Sequence, residues 1–286
     1  EQNNKLTSKP LPNDYNGDQT SRQQWEAVSR ALGRLDNRLP YIVCQGNHDL
    51  GYIAAEHRYS MMPDYVYPER NSTFAKALVA TGPNYQGVHT LENAAYEFCD
   101  KAWGKILVVA MEFAPRDEAL DWARQLIETE RFKNHKVFIL VHSFLNTAGD
   151  RIKSEGYKLE SRNWPQAVWE KLVYPSKNIK MVLCGHSGET PKMADLNNID
   201  YKPSSSFRID KAHDGRNVVQ MMFNSQQGDG NWNGNGGDCW LRILEFKPDG
   251  KSIGVRTFSP LFALSKRTQH MAWRTDDYDQ FVITIE

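Results

Sequence analysis

Pro40-Tyr41-Ile42-Val43-Cys44-Gln45-Gly46-Asn47-His48-Asp49 runs from a chain-breaking proline through four apolar residues straight into a polar, metal-competent tip. A short apolar run bounded by turn residues reads as a buried strand. Two other stretches repeat the design: Val137 to Val141 ends at His142-Ser143, and Met181-Val182-Leu183-Cys184 ends at Gly185-His186-Ser187-Gly188. Ligands of open α/β sheets bind beyond the carboxyl ends of the strands. Asn47, His142 and His186 are therefore expected to converge on one cation, with glycines at two of the tips letting backbone approach it.

Working outward, Gln23 to Leu35 places Trp25, Val28, Ala31, Leu32 and Leu35 at helical spacing, with Ser21 as the cap. A strand over Ile106 to Met111 ends in Glu112-Phe113-Ala114-Pro115-Arg116-Asp117. A helix follows with Leu120, Ala123, Leu126 and Ile127 on one face, and another holds Val168, Leu172 and Val173. The first twenty residues read as an extended loop, and residues 50–90 as irregular or locally helical. After about residue 215 the pattern changes to strands with almost no helix: Val218 to Phe223, Trp240 to Phe246, Ile253 to Phe258 and Phe281 to Ile285. Pro248-Asp249-Gly250-Lys251 reads as a hairpin turn between two of them. The expectation is a single α/β domain over residues 1–286, an α/β/β/α sandwich with mixed sheets. Residues 1–215 would form its α/β part and 216–286 a β-rich closing sheet.

Lys+Arg and Asp+Glu balance at 35 each, so global charge points to neither nucleic acid nor an anionic membrane as partner. No apolar run approaches the roughly 18 residues of a membrane span. The four cysteines (Cys44, Cys99, Cys184, Cys239) form no Cys-x-x-Cys pair, and Cys44 and Cys184, each closing an apolar run, read as buried free thiols.

Gly46-Asn47-His48-Asp49, then Val141-His142, then Gly185-His186, in that order, resemble the calcineurin-like metallophosphoesterase superfamily. The resemblance extends over essentially the whole chain. Glu112 to Asp117 with Trp122, Asn224-Ser225-Gln226 and the Trp240-to-Phe258 ending are similar to a branch usually made with an export signal, which implies an extracytoplasmic (periplasmic or secreted) protein. The resemblance implies two divalent metal ions, of a kind (manganese, iron or zinc) that the donors do not select. It also implies hydrolysis of phosphate mono- or diesters of a small molecule by a metal-bound hydroxide attacking in line. Asn47, His142 and His186 match ligands of the second metal. His48 matches the catalytic histidine beside the scissile ester, and Asp49 its orienting partner.

The pattern has two departures. The superfamily opens with Asp-x-His and Gly-Asp, and neither is found upstream of Gly46 in a strand setting; Gly17-Asp18 reads as loop or cap. Glu1-Gln2-Asn3-Asn4 is similar to the stretch after that Gly-Asp, so the expectation is a chain without its first βαβ portion. An uncovered sheet edge would then invite oligomers. The usual Gly-His-x-His also reads Gly188 at its last position, with Asp14, Asp18 and His57 as replacement ligands among which nothing selects. Low activity, or a non-catalytic relative that binds a phosphorylated or carbohydrate ligand, is the competing expectation.

Among other residues, Arg70, Arg116 and Arg151 suit a phosphate clamp, Arg116 best of the three. Asn224, Gln226 and the glycine-rich 228–237 loop are candidates for the substrate cleft. Trp232 and Trp240 are candidates for stacking on a substrate ring, whereas Trp25, Trp122 and Trp169 read as core.

Overall fold

The computed structural model describes residues 20–51, 53–188, 204–226 and 237–285. Asp14, Asp18, Trp232 and nearly all of the 228–237 loop lie outside these residues.

Helix α1 (Ser21–Leu32) is capped one residue earlier than expected, by Thr20 rather than Ser21: Thr20 Oγ1 accepts the Gln23 N–H, and the Gln23 side chain accepts the Thr20 N–H in return. Its Trp25 is buried. Short helices α2 (Met62–Tyr65) and α3 (Ser72–Ala75) follow, then strands β1 (Leu78–Pro83), β2 (His89–Asp100) and β3 (Gly104–Ala110). Helix α4 (Asp117–Glu128) buries Ala119, Leu120, Ala123 and Ile127 along one stripe. It leads to β4 (Lys136–Leu140), α5 (Pro165–Val168) continued by a π-helical turn over Trp169–Val173, and β5 (Ile179–Cys184). Strands β6 (Ser204–Lys211) and β7 (Asn217–Asn224) come next, then β8 (Leu241–Phe246), β9 (Ser252–Phe258), β10 (Trp273–Arg274) and β11 (Phe281–Thr284).

Seven strands form one mixed sheet in the order β1-β2-β3-β4-β5-β7-β6. Its middle is parallel, β3 to β4 to β5 to β7, and both margins are antiparallel. Side chains alternate across it. Leu107, Val109, Val137, Ile139 and Val182 face Leu120, Ala123, Ile127, Val168 and Leu172 of the helices. Ile106, Phe138, Met181, Val219 and Met221 face Ile253, Val255 and Ile283 of a second sheet, in which β9 lies between β8 on one side and β10 and β11 on the other. Further along that second face, Trp25, Met62, Val66 and Phe74 cover Ala94, Tyr96 and Ala110. The result is the layered α/β arrangement that the sequence leads one to expect.

Three sequence expectations change. Tyr41–Cys44 pairs with no strand among the described residues; it lies across the main sheet, with Cys44 Sγ 3.4 Å from the Met111 carbonyl and 3.7 Å from that of Leu140. The 50–90 region contains β1 and the start of β2, whose buried Glu92 and Asn93 break the apolar alternation by which strands are read. Strand β7 belongs to the main sheet rather than the closing one, paired with β5 and with β6, a strand whose Ser-Ser-Ser start hides it. The β8–β9 hairpin turns at Lys247–Ser252 as expected. Gly250 has a φ of 71°, and any Cβ there would run into the Ala102 carbonyl.

Candidate metal and phosphoester site

The carboxyl ends of the four parallel strands stand side by side. Beyond β3 come Met111-Glu112-Phe113, beyond β4 Val141-His142, beyond β5 Gly185-His186, and β7 ends at Asn224. Cys44, Gln45 and Gly46 rest against the β3 and β4 tips and lead into a 3-10 turn, Asn47–Asp49, beside His142. A Cβ at Gly46 would crowd the His142 ring at 3.1–3.3 Å, so any larger residue there would have to displace that ring.

Three donor atoms meet at this point. His142 Nε2 lies 2.9 Å from Asn47 Oδ1 and 3.1 Å from His186 Nδ1. Ligands about 2.1 Å from one cation and at right angles stand about 3 Å apart, so this spacing suits neighbours on a single divalent ion. Burial, followed by the neighbouring His186 and His48, pushes His142 down to about 3, which keeps its imidazole neutral as a ligand must be. Among the described residues no group of three or more His, Cys, Asp or Glu gathers as a cation site. The set here is two imidazoles and one amide, which fits one cation but contributes no negative charge of its own.

His48 sits beside these donors, half-buried, with Nδ1 2.8 Å from the Ile53 carbonyl. That carbonyl takes the orienting place expected of Asp49. The Asp49 carboxylate accepts the Gly46 N–H at 2.8 Å, which closes the turn. Among the proposed first-metal ligands, His57 Nδ1 accepts the Tyr59 N–H.

Arg116, expected as a phosphate clamp, is engaged within the protein. Its Nε and Nη2 donate to Glu112 at 2.9 and 3.2 Å, and Nη2 also donates to the Pro83 carbonyl at 2.8 Å. Its Nη1 makes none of these bonds and lies 3.8 Å from Glu118 Oε2. Arg70 is likewise held by Asp36 and Ser29, and Arg151 by Asp210, Gln166 and Gln220. Asn224 braces the β5 tip: its Nδ2 donates to the His186 and Ser187 carbonyls at 3.0 and 3.3 Å, and its Oδ1 accepts the Gln226 N–H at 2.9 Å. This fits His186, whose φ of 65° is a conformation costly for a side-chain-bearing residue and in need of support. Gln226 itself is exposed. Trp240 is buried against Phe262 and Arg274, so it offers no stacking face. Cys44 and Cys184 are free thiols, and burial pushes both up to about 12.

Several residues at the site carry no sequence signal. Glu155 Oε1 lies 2.8 Å from His186 Nε2, and Asn47 Nδ2 donates to the Tyr157 hydroxyl at 2.9 Å. The Phe113 ring, fully buried, packs edge-on against His142 and Tyr157. Gln45 ties the first tip down, donating to Glu92 at 2.7 Å and accepting from Phe113 N–H at 3.3 Å. Burial pushes Glu92 above the usual carboxylate range, opposed by hydrogen bonds from Asn84, Thr90 and Gln45. The 153–157 loop follows no motif, and only the fold brings it to His186.

The fold is a layered α/β one with polar strand tips gathered at the carboxyl ends of its parallel strands. The chain belongs to the calcineurin-like phosphoesterase family, whose sequence model matches residues 15–189. It is similar to the uncharacterized protein YvnB of Bacillus subtilis (strain 168), with 25% identity over 251 residues. That alignment covers 86% of this chain and 16% of YvnB, so the chain spans about a sixth of the length of this curated relative.

Proposed function

We propose that the chain hydrolyses phosphate esters of a small molecule, with a divalent cation held by Asn47 Oδ1, His142 Nε2 and His186 Nδ1. The observation behind this is the convergence of these three atoms at 2.9 and 3.1 Å beyond the parallel strands. A cation bound there would polarise the phosphoryl group and lower the pKa of water. The protein's own part is proton delivery. His48, with Nδ1 donating to Ile53, can give the proton on Nε2 to the departing ester oxygen, which leaves as an alcohol while the ring becomes neutral.

Two observations support a second reading, in which the chain binds a phosphorylated ligand without turnover. The convergent donors are all neutral, and Gly188 stands where the family pattern expects another histidine.

The test is hydrolysis of p-nitrophenyl phosphate and bis(p-nitrophenyl) phosphate by the chelated chain, before and after adding Mn2+, Fe2+ or Zn2+. Metal-stimulated turnover is expected, lost in His142→Ala and slowed about 10²–10⁴-fold in His48→Ala with metal still bound. Metal binding without turnover would favour the second reading. No metal binding at all would overturn both the cation assignment and the hydrolysis built on it.

A further inference from the structure

We propose that Glu155 is a positioning residue that sets the tautomer of His186 and lends negative charge to an otherwise neutral donor set, an inference that rests on the cation reading above. Its side chain is only 10% exposed. One oxygen, Oε1, takes His186 Nε2 at 2.8 Å; the other, Oε2, accepts the Ser143 hydroxyl at 3.2 Å. Ser143 directly follows His142, so a single carboxylate is fastened to both histidine-bearing tips.

The chemistry follows from the imidazole ring, whose two nitrogens point away from each other. With Nε2 turned to Glu155, Nδ1 faces His142 Nε2 at 3.1 Å. Glu155 therefore stands behind the ring and does not join the donors around the cation position. A carboxylate accepting from Nε2–H requires the proton on that nitrogen, which leaves Nδ1 a bare lone pair directed at the convergence point. It also makes the ring a stronger donor and places a negative charge one imidazole away from the cation. Neutral nitrogen and amide ligands alone hold a hard divalent ion less well than a set containing carboxylate, and Glu155 offsets that deficit indirectly.

The same loop orients a second donor. Two residues on, the Tyr157 hydroxyl accepts from Asn47 Nδ2 at 2.9 Å, which turns Asn47 Oδ1 toward His142. On the opposite side, Asn224 holds the His186 backbone. His186 is thus fixed from its carbonyl and from its far ring nitrogen, and only Nδ1 is left for a ligand.

Two readouts test this on the whole chain. In the metal-free protein at mildly alkaline pH, nitrogen-15 NMR of the histidine rings, assigned with His186→Gln, should show His186 protonated at Nε2. Glu155→Gln, whose amide oxygen can still accept, should keep that tautomer; Glu155→Ala should let the Nδ1–H form rise to a measurable share. Calorimetric titration with Mn2+ should then give affinity about tenfold weaker for Glu155→Gln and approaching 100-fold weaker for Glu155→Ala. Should Glu155→Ala fail to fold, the isosteric glutamine variant decides alone. A wild-type His186 protonated at Nδ1, or equal Mn2+ affinity in wild type and Glu155→Gln, overturns the proposal. Wild-type protein that binds no Mn2+ sinks the cation reading, while the NMR result still decides the role of Glu155 toward His186.

Discussion

Arg116 illustrates how a residue chosen for one chemistry serves another. Its side chain is 11% exposed and that of Glu112 4%, and the two meet at 2.9 Å with Arg58 Nη1 a further 3.5 Å from the same carboxylate. Removing one partner of a buried pair leaves a charge without compensation, which costs far more than the intact pair contributes. Arg116→Ala should therefore lower unfolding free energy by about 3 kcal/mol in urea titrations, with the residual Arg58 contact limiting the loss. If the variant instead unfolds like wild type and only its KM for a phosphate ester rises, Arg116 faces substrate and the buried-pair account is wrong. Glu112 also accepts from Asn93 Nδ2 at 2.9 Å, so the pair anchors the Phe113 turn on which both imidazoles rest.

Among the elements, the β6–β7 margin has its own electrostatic lock. Asp210 on β6 receives Arg208 from its own strand, Gln220 from β7 and Arg151 from the loop after β4. Burial pushes its carboxyl up, but the hydrogen bonds from Arg208, Gln220 and Arg151 outweigh that and hold it well below the usual carboxylate range. A carboxylate depressed in the folded state stabilises fully above its unfolded pKa, near about 4, and loses that contribution as pH falls toward the folded value. Asp210→Asn should accordingly flatten the decline in melting temperature between roughly pH 4 and pH 2, and it should lower stability modestly at neutral pH. An unchanged acid-side slope would show that other carboxylates govern it. The lock also fixes the start of the loop that later reaches Glu155, so an edge strand and the site share one set of contacts.

Across the whole molecule, the apolar layer between the sheets makes them one folding unit. Ile253 and Val255 of β9 are fully buried against Phe138, Met181 and Val219 of the main sheet, and Trp103 is clamped between the layers by its Nε1 bond to the Lys247 carbonyl at 2.8 Å. Ile253→Ala should cost about 3 kcal/mol, from lost transfer energy and the cavity left behind. Its unfolding followed by tryptophan fluorescence and by far-ultraviolet circular dichroism should stay coincident, as in a two-state system. A fluorescence transition that runs ahead of the circular dichroism would mean the closing sheet separates before the main one melts.

The local sequence determined what short-range physics can encode. The apolar runs ending in His142 and His186 became parallel strands because buried strands declare themselves by composition, and α4 declared itself by the period of Leu120, Ala123 and Ile127. That His142 and His186 stand together was legible for the same reason, since residues that follow parallel strands must emerge on one side of the sheet, whereas Asn47 arrives from a stretch that pairs with no strand among the described residues. Tertiary structure alone decided the rest. Tyr41–Cys44 looks like a strand, but a strand exists only through a neighbour's hydrogen bonds, and pairing is a property of the fold. Arg116 has the same side chain whether it binds phosphate or Glu112, and only the packing of the 112–116 turn selects its partner. Strand β2 was hidden because its buried Glu92 and Asn93 are affordable only where Gln45, Asn84 and Arg116's partner Glu112 come to meet them. Glu155 lies 31 residues before His186 in a loop without periodicity. Its place behind that imidazole depends on long-range chain closure, which leaves no trace in the spacing of the residues that achieve it.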